Sequence, residues 1–115
     1  MINNSVKNLL KVLEDRPIVI WGARMTGIGF LHFAKKNNLN VVGFIDSDQS
    51  LDETKVYNFP VFLPGKLLSL KKQHKNLVVV IAVSIKEDEI IDLLKYIMKI
   101  PIFTEYWSSF LYPNI

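Results

Sequence analysis

Apolar positions along this chain alternate between a helical period and short continuous runs, and the alternation predicts helix and strand in turn. Val6, Leu9, Leu10 and Leu13 recur at helical spacing over Ser5 to Asp15, and Pro17 stops that helix. Ile18 to Trp21 is a mostly β-branched apolar run that breaks at Gly22, as a buried first strand does. The helix that follows Gly27 carries Gly27, Leu31 and Ala34 on one stripe, with Phe30 and Phe33 beside it, and Asn37-Asn38 ends it. Small residues on that stripe let a helix lie close to a sheet. Val41 to Ile45 reads as a second buried strand that delivers Asp46 at its C-terminal end.

The polar segment Ser47 to Lys55 reads as a loop. Val56-Tyr57 and Val61-Phe62 then flank Asn58-Phe59-Pro60, the pattern of a short hairpin or edge strand, with Asn58 tolerating positive φ and Pro60 confined to an edge or turn. Pro64 suits a first helical position, and Leu67, Leu68 and Leu70 continue that helix to about His74. Leu77 to Val83 is the strongest strand signal, the fourth in the chain. Ser84 and Glu87 form a capping-box pattern, which predicts a helix carrying Ile90, Leu94, Ile97 and Met98 inward. Asp88 and Glu89 in its first turn and Lys95 and Lys99 near its end suit the helix dipole. Pro101 breaks it, Ile102-Phe103 predicts a short fifth strand, and Tyr106, Trp107 and Phe110 are expected to share one face of a last helical turn.

This order predicts an α/β, Rossmann-like three-layer domain, a mostly parallel sheet of about five strands with helices on both faces. Right-handed crossovers give the order 3-2-1-4-5, with the switch point between strands one and four. The turn from Gly22 to Gly27, Asp46 and Ser84 then meet at one sheet edge.

The length of 115 residues bounds the chain to a single domain over 1–115. Half of the residues are hydrophobic, which gives it a core to bury. The absence of cysteine excludes disulfides, thiolate zinc sites and cysteine nucleophiles. The longest apolar run is too short to span a bilayer, and Met1 to Asp15 carries scattered charge where a signal peptide needs an apolar segment, so a cytoplasmic location is expected. A net charge of +3 is mild; the group Lys66, Lys71, Lys72, His74 and Lys75 reads as a solvated helix face. It lacks the interleaved aromatics of a nucleic-acid surface, and no nucleic-acid partner is expected.

Chemistry concentrates at the first strand–helix junction. Free backbone N–H groups and the helix dipole converge at such a turn and suit a phosphate. In a dinucleotide site the first glycine makes the turn, the second admits the pyrophosphate, and the third lets helix pack on strand. Gly22 and Gly27 fit the first and third roles, while Arg24 stands in the second, where its chain either crowds the pyrophosphate or grips it through a bidentate guanidinium bond. A P-loop is excluded because Ile28 follows Gly27. Asp46 comes a little over the roughly 20 residues after the first glycine expected of a ribose-binding acid, and it would repel a 2′-phosphate, which favours NAD over NADP. Its other reading is an Asx-type turn helped by Ser47 and Asp48. Ser84 is first a helix cap and second a ligand contact. The candidate contacts are therefore Gly22, Ala23, Arg24, Met25, Thr26, Gly27, Asp46, Ser47 and Ser84.

No metal site is expected, and no catalytic acid, base or nucleophile stands out: His32 and His74 lack partners at useful spacing, and Tyr96 and Lys99 are too close for the Tyr-x-x-x-Lys pair of short-chain dehydrogenases. Whether the chain is an enzyme stays open. The aromatic tail, Phe103, Tyr106, Trp107, Phe110 and Tyr112, reads as cover for the sheet edge, with a homodimer or domain-docking surface as its alternative.

A strand ending in Trp21-Gly22-Ala23, a second strand Gly43-Phe44-Ile45-Asp46, and the step Asn58-Phe59-Pro60-Val61 before Pro64 resemble the N-terminal nucleotide-binding domain of bacterial sugar-modifying proteins. These include left-handed β-helix acyltransferases acting on UDP-amino sugars or sialic acid, and polysaccharide-biosynthesis 4,6-dehydratases. The resemblance covers roughly residues 17 to 100. It implies that Gly22, Ala23, Arg24 and Gly27 meet phosphate and that Asp46 meets a ribose or sugar-nucleotide. Arg24 replaces the usual small residue and Asn58 a common glycine, and the hexapeptide repeats and the tyrosine–lysine pair of those enzymes are absent. The expectation is a module binding a nucleotide or nucleotide-sugar (NAD or a UDP-sugar) in surface-polysaccharide metabolism, its catalysis left to another domain or a partner protein. The alternatives are a fragment of a nucleotide-sugar dehydratase or epimerase, and a non-catalytic interaction domain with a vestigial nucleotide turn.

Overall fold

The computed structural model describes residues 4–82, 87–103 and 110–111. Helix α1 (Asn4–Leu13) ends ahead of Asp15, whose φ of 65° reverses the chain into strand β1 (Pro17–Trp21). Helix α2 (Met25–Lys36) begins before Gly27 and so takes it into its first turn. Asn38, at φ 57°, turns the chain into β2 (Asn40–Ile45). After a 3₁₀ turn at Gln49–Leu51 comes the hairpin of β3 (Lys55–Val56) and β4 (Phe59–Phe62). A second 3₁₀ turn, Pro64–Lys66, runs into α3 (Leu67–Gln73), and β5 (Val78–Ile81) follows. Helix α4 (Glu87–Asp92) continues as a π-helix over Leu93–Met98, and the strands β6 (Ile102–Phe103) and β7 (Phe110–Leu111) close the chain's described part.

Among the described residues the sheet has seven strands in the order β3-β4-β2-β1-β5-β6-β7. The five inner strands are parallel, and with the hairpin in third place they follow the expected order. The extra width comes from β3 and β7, two-residue antiparallel strands at opposite edges. Phe110 therefore belongs to a strand, paired with Phe103, and not to the helical turn expected of it. Two residues paired across a sheet leave no periodic trace in sequence. Tyr106, Trp107 and Tyr112 lie outside the described residues.

Period-two alternation along β1 divides the core between two faces. Ile18 and Ile20 pack with Leu13 of α1 and Phe30, Leu31 and Ala34 of α2, whereas Val19 and Trp21 pack with Leu67 and Leu70 of α3 and Leu94 and Met98 of the last helix. Helices thus cover both sides of the sheet, giving the three layers expected. Lys71 Nζ donates to the Met98 carbonyl oxygen at 2.8 Å and ties α3 to the last helix.

Two local features depart from expectation. Ile97 is 74% exposed, while Leu94 and Met98 are buried. A π-helix closes its hydrogen bonds over one more residue than an α-helix, which delays each later side chain around the axis. Leu94 and Met98 stay inward and Ile97 rotates out. In the hairpin, Tyr57 (φ 48°) as well as Asn58 (φ 71°) has positive φ, as a type I′ turn demands at both central residues. The Tyr57 ring is held against α2 by edge contact with His32, 5.2 Å between centroids, and by Lys35 Nζ 5.9 Å over its face. Among the described residues, no helix is long and apolar enough to cross a membrane.

Candidate functional site

The C-terminal end of β1 is locked from both sides before the chain turns. Gly22 N–H donates to the Ile45 carbonyl at 2.7 Å, and Ala82 N–H donates to the Trp21 carbonyl at 2.8 Å. Gly22 itself has φ 121°, a conformation that side chains disfavour. A Cβ placed on Gly27 would fall 1.7 Å from the Gly22 carbonyl oxygen. The two glycines therefore serve different needs, the turn and the close approach of helix to strand, in the roles expected of them.

Asp46 joins two loops. Its Oδ2 accepts from Ala23 N–H at 3.0 Å and its Oδ1 from Asp48 N–H at 2.9 Å, while its own N–H donates to the Phe62 carbonyl at 3.0 Å. The Asx-type turn expected as its alternative role is present, and it coexists with a link to the turn after β1. Each carboxylate oxygen accepts more than one hydrogen bond, so this half-buried group retains capacity for a hydroxyl donor.

Arg24 precedes α2 with extended backbone (φ −113°, ψ −155°) and gives no side-chain cap. Ile28 N–H, donating to the Arg24 carbonyl at 2.8 Å, is the first amide of the helix with an acceptor in its own ladder. Met25, Thr26 and Gly27 accordingly present N–H groups without intrahelical acceptors, at the positive end of the dipole. Met25 and Thr26 are exposed, Met25 at 88%.

The Arg24 guanidinium is engaged by a residue the sequence had marked only as a turn helper. Its Nη2 lies 2.5 Å from Asp48 Oδ2, in an ion pair whose side chains are 68% and 37% exposed. Asp48 Oδ1 accepts from the Ser50 hydroxyl at 2.7 Å and from Ser50 N–H at 3.0 Å. The Ser50 bonds hold the Asp48 carboxyl below the usual carboxylate range; desolvation opposes them, and the charge and hydrogen bond of Arg24 contribute less than either. Opposite charges on two separate loops were the only signal of this pairing in the sequence. Ser47 is exposed beside these residues, and Ser84 lies outside the described residues. Among the described residues, no group of three or more His, Asp or Glu side chains gathers to hold a metal ion.

No family model matches the sequence, and no curated protein matches it. Solved structures do. UDP-D-quinovosamine 4-dehydrogenase from Vibrio fischeri is similar with a TM-score of 0.71 at 18% identity, over 87% of this chain and 94% of the other. RSP, a Rex-family repressor, in complex with β-NADH gives a TM-score of 0.66 at 16% identity, over 88% of this chain and 50% of the repressor's. A further RSP structure gives 0.62 at 16% identity, over 79% and 45%. The fold is Rossmann-like. The chain spans about half the length of the repressor chains. In this Rossmann-like sheet the turn after β1, Asp46 and the Arg24–Asp48 pair all lie at the carboxyl ends of the parallel strands, next to the β1–β5 switch point where ligands of open α/β sheets bind.

Proposed function

We propose that the chain binds a dinucleotide of the NAD type, with the pyrophosphate against the first turn of α2 and a ribose hydroxyl on Asp46. The approach of Gly27 to the Gly22 carbonyl carries this reading: it seats the open amides of Met25 to Gly27 directly on the end of β1. The Ala23–Asp46 bond supports it, because it sets a ribose acceptor beside the same turn. The Rex-family repressor, which was crystallised with β-NADH, lends further support.

A UDP-sugar is the second reading, favoured by the similarity to a UDP-sugar dehydrogenase. It offers the same diphosphate and ribose to the same groups, and a role in bacterial surface-polysaccharide metabolism goes with it. In either case the module works in the cytoplasm, and a further domain or a partner protein supplies the reacting groups.

Thermal melts of the chain with NADH, NAD⁺, UDP-N-acetylglucosamine, coenzyme A and S-adenosylmethionine test the proposal. A ligand at ~100 times its dissociation constant stabilises the fold by roughly 2.7 kcal/mol. For a domain of this size that raises the melting temperature by on the order of 10 °C. We expect the rise with NADH or NAD⁺. A rise with the UDP-sugar alone selects the second reading, and no shift with any of the five overturns both in favour of an interaction domain.

A further inference from the structure

We infer that the last helix, with α3 beside it, is the surface on which two copies of this chain meet in a symmetric dimer.

Three large apolar side chains open to solvent lie on this one layer: Ile97, 74% exposed, Tyr96, 58%, and Leu68, 53%. The bond from Lys71 to the Met98 carbonyl shows which flank of α3 faces the last helix, and Leu68, three residues before Lys71, shares that flank. Tyr96 and Ile97 stand immediately before Met98. Apolar groups gathered on one exposed face mark a contact surface.

Charge says what covers it. Asp88, Glu89 and Asp92 occupy the first half of the last helix and Lys95 and Lys99 its end, all exposed except the half-buried Lys95. Among the described residues, the three carboxylates and Lys99 form no ion pair within the chain, and Lys95 Nζ lies 5.3 Å from the centroid of the Tyr96 ring. A helix that is acidic first and basic last complements itself when reversed. In a two-fold dimer one patch serves both chains, so running this helix antiparallel to its copy lays each acidic half on the other's basic end. With the axis midway along the helix, Asp92 of each chain meets Lys95 of the other, and Asp88 meets Lys99. In the same register Tyr96 and Ile97 cover the half-buried Ile90 and Ile91 of the copy. An anionic membrane or a wholly acidic partner would meet the carboxylates, and a basic partner the lysines; either suits only half of the helix.

The antiparallel arrangement points the carboxyl edges of the two sheets in opposite directions. Both crevices beside Asp46 therefore stay open, and the dimer is independent of the nucleotide reading.

Sedimentation equilibrium of the full chain and of Asp92→Lys, Lys95→Asp, the double exchange Asp92→Lys/Lys95→Asp, and Ile97→Glu tests the pairing. The wild type should pass reversibly from one chain to two with a Kd of about 10–500 μM, as suits the small contact area of two short helices. Each single reversal sets like charges against one another twice and should weaken association at least about tenfold. The double exchange restores opposite signs and should return the Kd to within about threefold of the wild type. Ile97→Glu, at a site too exposed to affect folding, should also weaken association at least about tenfold. Three results overturn the inference: a wild type that stays a single chain up to about 1 mM, a dimer that neither the reversals nor Ile97→Glu weakens, or a double exchange that recovers nothing of what the single reversals lose. Each leaves the nucleotide reading intact, because the substituted residues lie outside the turn after β1 and the Asp46 loop.

Discussion

The carbonyl oxygen of Gly22 occupies the space that a side chain on Gly27 would need, 1.7 Å from an ideal Cβ, with Ile20 Cγ2 a further contact at 3.3 Å. The obstacle is backbone just past a strand end that hydrogen bonds to Ile45 and Ala82 hold on both sides, so it cannot step aside as a flexible side chain would. Gly27→Ala should force α2 off the sheet and lower stability by roughly 3 kcal/mol, at the upper end of ordinary overpacking. Gly29, two residues on, meets nothing within 4 Å and is exposed in the same helix. Gly29→Ala should raise stability by about 0.5–1 kcal/mol through helix propensity alone. Urea unfolding of the two variants checks the pair; changes of the same sign in both would contradict this packing.

The lowered Asp48 carboxyl gives a signed pH dependence. Its pKa in the folded chain is below that in the unfolded chain, so its stabilising contribution is complete above the unfolded value and disappears as pH falls through the folded one. The stability difference between wild type and Asp48→Asn should be constant near neutrality and shrink in strong acid. Because the Ser50 bonds are the larger cause, Ser50→Ala should erode that difference more than Arg24→Gln does. Urea midpoints of the four proteins across the acid range measure both statements, and a larger effect of Arg24→Gln would reverse the order of causes.

The widened last helix makes a further test, since its phase decides which side chains matter. Leu94→Ala should cost about 2–5 kcal/mol, as for a buried leucine, whereas Ile97→Ala should change stability by less than about 1 kcal/mol. A regular α-helix that buried Ile97 beside Leu94 would give comparable losses at both positions.

Much of the site could be read from the chain because its signals are local. The runs ending at Trp21 and Ile45, the break at Gly22 and the placement of Asp46 after an apolar strand each rest on neighbouring residues. What escaped the sequence depends on contacts between distant segments. The partner of Arg24 is chosen by the folding of two loops onto each other through Asp46, which no spacing rule encodes. Phe110 follows the edge strand it joins, against its own local pattern. Tyr57 takes positive φ because the two-residue hairpin turn requires it, and its ring meets His32 and Lys35 of α2, far away in sequence. Ile97 was misplaced for a different reason: its spacing is correct for an α-helix, and the helix has another pitch.

Both margins of the sheet end in strands only two residues long, β3 and β7, running against the direction of the interior. So short a rim exposes few unpaired amides to a second molecule, and Lys55 adds an exposed charge on one side. Lateral pairing with a second molecule is disfavoured at the β3 border, although the central strand β5 is wholly apolar.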